Sequence, residues 1–500
     1  MATREQWNTK AGFLLAAIGS AIGLGNIWRY PYIAYENGGG AFLIPYFIAL
    51  LTAGIPILIL EYSLGHRYKG SAPHVFRKLS QKWEWLGWWQ IFISFAIITY
   101  YVIIIGWALS YTFFSFGTRW GESTDTFFFG QYLGTTDSFW EAGGLQWNVL
   151  LPVLLIWAAI LVVMHKGIRK GIERASKILM PVLILMMVFI TIRAVTLPGA
   201  SEGLNVLFTP DFDSLTDPNV WIAAYGQVFF SLSICFGIMI TYSSYLPKKS
   251  DLANSGMIAA LANSGFEFMA AIGVFGALGF LAVSRGIPVN EVADAGVALA
   301  FVIFPQIINQ FPGLNSLFGV LFFGSLLFAG FTSAVSILEP AVAGVKEKFN
   351  LTRRGAVNWV CGSAMVVSLL YTTQGGIRYL DTVDHFINQY GIAVAGLVEV
   401  ILIAWLLRKL DDLKGHINAV SDIRIGGWWN FCLKGITPIM VSLMTAFNLA
   451  AEWAKPYEDY PMSGLVSMGW GSVALVILLA FVFQNIGWRD PAIRLKGGRR

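Results

Sequence analysis

Residues 19–31 read GSAIGLGNIWRYP, inside an apolar run that extends roughly from residue 11 to residue 35. Three glycines, Gly19, Gly23 and Gly25, interrupt what would otherwise be an unbroken helix, and a charged residue, Arg29, follows shortly after. Glycine accepts backbone angles closed to other residues and lets a ligand come close to the main chain. Where such a helix unwinds, N–H groups at the new N-terminal end suit an anion, and freed carbonyls at the other end suit a cation. Close helix packing accounts for Gly12 or Gly19 taken singly, but not for GLGN followed by Arg29.

The solvent around this stretch is lipid. The chain is 56% hydrophobic, 15% aromatic and only 13% charged, against about 25% charged for a soluble globule. A helix needs about 20 apolar residues to cross a bilayer. Twelve apolar runs recur, roughly at 11–35, 41–64, 89–115, 148–164, 177–195, 220–245, 256–283, 315–345, 355–372, 388–407, 430–451 and 464–486. No short run with a cleavage site precedes the first, so the first helix is expected to stay in the mature protein.

Lysine and arginine set the orientation, because they concentrate in cytoplasmic loops. With the N-terminus inside, the outer segments keep only Arg119, Arg193, Arg285, Arg378 and Lys455. Both termini are therefore expected in the cytoplasm, and the net charge of +5 reads as a topology signal rather than as nucleic-acid binding. Cys235, Cys361 and Cys432 give no disulfide framework. His66, His74, His165, His385 and His416 fall at span ends or in loops, none paired at helical spacing, so no metal centre is expected. The absence of a phosphate-binding glycine loop argues against an ATP-driven pump on this chain.

Polar residues inside spans are costly and mark functional candidates. Glu61 lies in the second run, and Asn263 and Glu267 stand one helical turn apart in the seventh. The opening stretch also has a counterpart five spans later, FFSLSICFG at 229–237. Two broken helices at that spacing suggest an inverted five-plus-five repeat, each half giving one discontinuous helix to a site at the midplane.

With these features in view, the sequence resembles the neurotransmitter:sodium symporters, specifically their bacterial amino-acid members. The resemblance runs through REQW at 4–7, AIGLGNIWRYP at 21–31, ENGGGAF at 36–42, WIAAYGQVFFSLS at 221–233, ITYSSY at 240–245, FAGFTSA at 328–334 and LDTVD at 380–384. It implies an all-α integral membrane protein of twelve transmembrane helices with discontinuous first and sixth helices. Residues 1–195 would form the N-terminal segment and first repeat, 196–219 an extracellular connector, and 220–407 the second repeat with an extracellular loop near 285–314. Residues 408–487 would hold the last two helices, and 488–500 a basic cytoplasmic tail. The implied protein sits in the plasma membrane as a monomer or homodimer and is no enzyme. It imports a small neutral amino acid with sodium by alternating access.

The same resemblance assigns residues. One sodium site would use the Ala21 backbone, Asn26, Ser231 and Asn263, completed by the substrate carboxylate. The other would use the carbonyls of Gly19, Ile22 and Ala329 with the hydroxyls of Thr332 and Ser333. The carboxylate would meet the amides of Leu24 and Gly25 and the Tyr101 hydroxyl. Ile97, Phe230, Ser233, Phe236, Ser333 and Ile337 would line the side-chain pocket. Gly23 stands where monoamine carriers place an aspartate, so the substrate is expected to bring its own carboxylate. Arg29 would face Asp384 as the outer gate, with Tyr101 and Phe236 as a lid. Arg4 and Trp7 would lock the inner side against Glu347, Ser244 and Tyr245. Gly171 and Pro181 resemble the family's signature for unwinding the fifth helix. Glu267 takes the place of a serine found in chloride-dependent animal members, so transport is expected to be chloride-independent. Cys235 stands at a position commonly glycine and is expected to shrink the pocket, while Ser231 replaces the threonine of some relatives and keeps the hydroxyl. A channel or a membrane-embedded enzyme would need a continuous polar stripe or a mid-membrane nucleophile and base, and neither is visible.

Overall fold

The structure is a computed structural model that describes residues 5–293 and 296–489, and in that range it is built from helices, with two isolated β-bridges and no strand. Arg4 and almost all of the basic tail lie outside the described residues. The apolar stretches form helices we number α1 Lys10–Ala21, α2 Leu24–Glu36, α3 Gly40–Tyr68, α4 Gln81–Phe114, α5 Trp147–His165 and α6 Ile168–Val195. They continue as α7 Pro218–Ser231, α8 Ile238–Ser244, α9 Leu252–Arg285, α10 Asn315–Phe349, α11 Arg353–Tyr371, α12 Gly376–Leu406, α13 Gly427–Asp459 and α14 Met462–Asn485.

Among the described residues, nine helices are long and apolar enough to cross a membrane, or ten if the bent pair α1–α2 counts as one span. The other two expected runs differ for local reasons. The run at 220–245 is split into α7 and α8, each too short alone. The run at 355–372 becomes α11, whose 19 residues open on Arg353 and Arg354 and carry Asn358, Ser363 and Ser368.

Local chemistry sets many boundaries. Thr9 caps α1 by accepting from Gly12 N–H at 3.0 Å. Asp217 caps α7 ahead of Pro218, a residue suited to the first helical turn. Asp251 caps α9, which ends on Gly286 in the left-handed conformation. The segments expected as outer loops also hold helices, Ala200–Phe208 and Gly296–Gln310.

α4 and α10 pack along each other more extensively than any other pair, and α1 reaches α6, α9 and α10 from the middle of the bundle. The outer helices α6, α13 and α14 turn Leu185, Phe431 and Leu478 outward. An exposed apolar face of that extent belongs to a chain surrounded by lipid. With no water between them, membrane helices gain most from close backbone approach at small residues. A Cβ added at Gly65 would stand 1.9 Å from the Ile240 carbonyl oxygen on α8, and one at Gly203 would stand 1.8 Å from the Phe275 carbonyl on α9.

Gly65→Ala is therefore expected to lower the melting midpoint of the detergent-solubilised protein, since overpacking costs about 1–3 kcal/mol. Gly265→Ala, where nothing lies within 4 Å of the new Cβ, is the matched control and should leave the midpoint in place.

Candidate functional site

The first helix breaks where the glycines foretell it. α1 ends at Ala21, Ile22 and Gly23 are extended, and α2 restarts at Leu24 at an angle of 58°. The Asn26 Oδ1 accepts from Gly23 N–H at 2.8 Å, and the Tyr101 hydroxyl accepts from Leu24 N–H at 3.3 Å. In the sixth apolar segment the chain leaves helix between Ser231 and Ile238, with φ of +52° at Ser233, +70° at Cys235 and +79° at Gly237. Two non-glycine residues in left-handed conformation cost about 1–3 kcal/mol each, and polar contacts offset this. The Ser233 hydroxyl donates to the Ser20 carbonyl at 2.8 Å, Cys235 N–H donates to Glu61 Oε1 at 2.5 Å, and the Ser94 hydroxyl donates to the Phe236 carbonyl at 2.6 Å.

Between the breaks, three side chains from three helices meet. Asn26 Nδ2 donates to Asn263 Oδ1 at 2.9 Å and to Ser231 Oγ at 3.3 Å, and Asn263 Nδ2 donates to Ser231 Oγ at 2.5 Å. All three are buried, as is Ala21 at the end of α1. One turn beyond Asn263, the Glu267 carboxylate accepts from the Tyr46 hydroxyl and from Gln227 Nε2, the latter at 2.6 Å.

The second expected set lies across α1 from α10. A Cβ on Gly19 would stand 3.4 Å from Thr332 Cβ, and the Ser333 hydroxyl donates to the Ser20 carbonyl at 3.3 Å. Thr332 Oγ1 donates to the carbonyls of Phe328 and Ala329 at 3.0 and 3.1 Å, leaving its lone pairs free. Ala329 is buried on α10, and Ile22 is buried in the extended stretch just past the end of α1.

Two of the expected pocket residues, Tyr101 and Ser333, stand against Gly23. Its missing Cβ would lie 3.0 Å from the Tyr101 hydroxyl and 3.6 Å from Ser333 Oγ, so the hydrogen there is the only substituent that fits without a shift. Phe230 closes on Gly25 so tightly that a Cβ would come within 2.2 Å of its ring. Ile97, Phe236 and Ile337 are buried on α4, in the second break and on α10.

Several expectations need correction. The Cys235 sulfur does not narrow the pocket, because it faces Gly396 on α12, where an added Cβ would stand 2.5 Å from it, and the carboxyls of Glu61 and Glu399. Arg29 and Asp384 form no ion pair. The Arg29 guanidinium lies over the Phe230 ring at 4.5 Å, and Asp384 accepts from Asn388 at 2.8 Å. Trp7 packs against the sixth segment, donating its indole N–H to the Tyr242 carbonyl at 2.8 Å and its backbone N–H to Tyr245 O at 3.2 Å. Ser244 turns back on its own helix, donating to Thr241 O. Glu347 accepts from the backbone N–H and hydroxyl of Ser71, and the Arg4 expected to meet it and Ser244 lies outside the described residues.

The sequence reading missed other groups. Glu339 is fully buried, takes both guanidinium nitrogens of Arg353 at 2.9 and 2.7 Å, and accepts from the Tyr245 hydroxyl at 2.7 Å. Glu5 accepts from Ile168 N–H at 2.8 Å and lies 3.7 Å from Arg353. Glu399 is fully buried against Gln90. The rule that singles out Glu61 applies equally to Glu339 and Glu399, which lie within apolar runs. His66 and His416 meet across the fold at 2.9 Å, a pairing that spacing along one helix does not reveal.

The chain's relatives bear on what this geometry serves. The model of the sodium:neurotransmitter symporter family matches residues 4–127 and 119–488. An uncharacterized sodium-dependent transporter of Methanocaldococcus jannaschii is 41% identical over 483 residues, covering 97% of each chain. The human sodium- and chloride-dependent taurine transporter is 30% identical over 521 residues, covering 95% of this chain and 83% of its own. A sodium-dependent dopamine transporter of Caenorhabditis elegans is 28% identical over 513 residues, covering 91% and 82%. With its many apolar helices and whole-length match, the chain belongs to the sodium:neurotransmitter symporter family and is a multi-pass, sodium-dependent membrane transporter rather than an enzyme.

Proposed function

We propose that this transporter is a symporter that carries a small neutral amino acid inward by alternating access, driven by sodium and without chloride. The observation that carries the reading is the meeting of Asn26, Ser231 and Asn263 at the two helix breaks. Amide and hydroxyl oxygens are the hard ligands a small cation prefers. A half-turn of either amide exchanges a donor nitrogen for an acceptor oxygen, which would open this triad around a sodium ion. Gly19, Ile22, Ala329, Thr332 and Ser333 would hold a second one. The Leu24 and Gly25 amides and the Tyr101 hydroxyl would take the substrate carboxylate, and the bare hydrogen of Gly23 leaves that carboxylate the only acid there. Ile97, Phe230, Ser233, Phe236 and Ile337 would enclose the side chain. The twelve apolar segments would all span the plasma membrane, with both termini inside and the repeats divided as 1–195 and 220–407. The seal made by Trp7 and the unpaired state of Arg29 and Asp384 suit a conformation closed inside and free to close outside.

Uptake into proteoliposomes tests this, using labelled amino acids, taurine and dopamine, with sodium and chloride varied separately. Accumulation of a small neutral amino acid above equilibrium, on sodium alone, is the expected result. Accumulation of taurine or dopamine in place of amino acids would overturn the substrate reading.

The shared ion predicts a second outcome. Two ligands that share one ion must strengthen each other by the same factor, commonly 5–150-fold. Asn26→Ala should bring that factor toward one, seen as amino-acid binding that is weaker and less responsive to sodium.

The third prediction concerns Glu267. A fixed carboxylate roughly 5 Å from a sodium ion, at an effective dielectric of about 20, contributes about 3 kcal/mol. Removing it should create a need for another anion, so Glu267→Ser should gain stimulation by chloride that the wild type lacks. Equal rates for Glu267→Ser with and without chloride, or a strict chloride requirement in the wild type, would count against this role.

A further inference from the structure

Glu61 on α3, Glu399 on α12 and Cys235 in the second helix break are all fully buried, and one donor atom from each lies within 4.8 Å of the other two. None of them belongs to the proposed substrate or sodium sites. Their polar atoms are only half used. Glu61 Oε1 accepts from the Cys235 backbone and Glu399 Oε2 accepts from Gln90 Nε2 at 2.5 Å. Glu61 Oε2, Glu399 Oε1 and Gln90 Oε1 are buried without a hydrogen-bond partner. Such orphan acceptors are costly in hydrocarbon, and two carboxyls beside one thiol, one of them bound to Gln90, call for a ligand that accepts lone pairs.

We propose that this cluster is a binding site for a thiophilic divalent cation, Zn2+ or Cd2+. The chemistry of the donors decides against an alkali ion: a thiolate is a soft ligand that sodium disfavours, whereas zinc takes mixed sulfur and carboxylate ligands. A dication held by the thiolate and one carboxylate, with the second carboxyl ligating as the neutral acid, is charge-neutral, which removes the charge that would otherwise oppose burial at this depth. The Gln90 carbonyl, on the residue already bound to Glu399, is the natural fourth ligand of a tetrahedral site. On binding, the Cys235 thiol becomes the thiolate and its proton leaves to solvent. The four ligands come from four segments, α3, α4, the break and α12. A bound ion therefore pins the interrupted sixth segment to its surroundings, and it enters only as those segments part. If that segment moves during transport, as the proposed function requires, the ion arrests the cycle.

The test is cadmium titration of the purified full-length protein in a Cys361→Ser, Cys432→Ser background, followed by ultraviolet thiolate-to-cadmium charge-transfer absorbance. The expected result is a slowly growing band that saturates at one equivalent, is displaced by zinc, is lost in Cys235→Gly and is weakened in Glu399→Gln. Glycine adopts the positive φ of position 235 without strain, so Cys235→Gly keeps the backbone while removing the ligand. No band at stoichiometric cadmium, as acids sharing only a proton would give, or a band that survives in Cys235→Gly, overturns the site. In proteoliposomes, cadmium should slow sodium-driven uptake by the wild type but not by Cys235→Gly. Absent uptake in both with the band intact would count against the transport reading and leave the metal site standing.

Discussion

A helix that unwinds in hydrocarbon exposes N–H and C=O groups that no water can satisfy, and everything at the centre of this molecule answers that constraint. An unsatisfied main-chain group at that depth costs several kcal/mol, whereas each hydrogen bond that relieves it contributes about 1 kcal/mol net. The chain breaks two helices and then assigns side chains to the loose ends: Asn26 and Tyr101 to the first break, Glu61, Ser94 and Ser233 to the second and its neighbour Ser20. These obligations bring α2, α3, α4, α7, α9 and α10 to one place. The two amides and the hydroxyl that meet there, Asn26, Asn263 and Ser231, are hydrogen-bonded to one another and, in the proposed reading, are the groups that turn to meet an ion.

The two ends of the molecule are held by different means. At one end, Arg353 grips the buried Glu339 with both nitrogens while Glu5 and Tyr245 join the same network. Paired, hydrogen-bonded charges of this kind are the stronger class of ionic contact. At the other end, Arg29 rests on an aromatic face and Asp384 on an amide, contacts of roughly 1 kcal/mol each. That asymmetry leaves one end held by charge and the other by weaker contacts.

The breaks were legible because glycine and small polar residues interrupt apolar runs, a one-dimensional signal. Asn263 and Glu267 were legible because polar groups in a span are rare. Contacts that join residues far apart in sequence were not. Whether the Cys235 side chain faces the pocket or α12 depends on a left-handed backbone angle at a non-glycine residue, which no local pattern announces. Glu399 and Gln90 find each other across 309 positions, and His66 and His416 across 350. The expected ion pair of Arg29 with Asp384 is not formed for a related reason: a motif carries residue identities but not the side-chain placement, which lays Arg29 over Phe230.

The central claim is that one sodium ion and the substrate's carboxylate share a shell at the two helix breaks. Equilibrium binding of radioactive sodium to the purified protein, with a transported amino acid and then with its decarboxylated amine, tests it most directly. The account predicts that the amino acid tightens sodium binding and the amine does not. Equal tightening by both, or by neither, would contradict it.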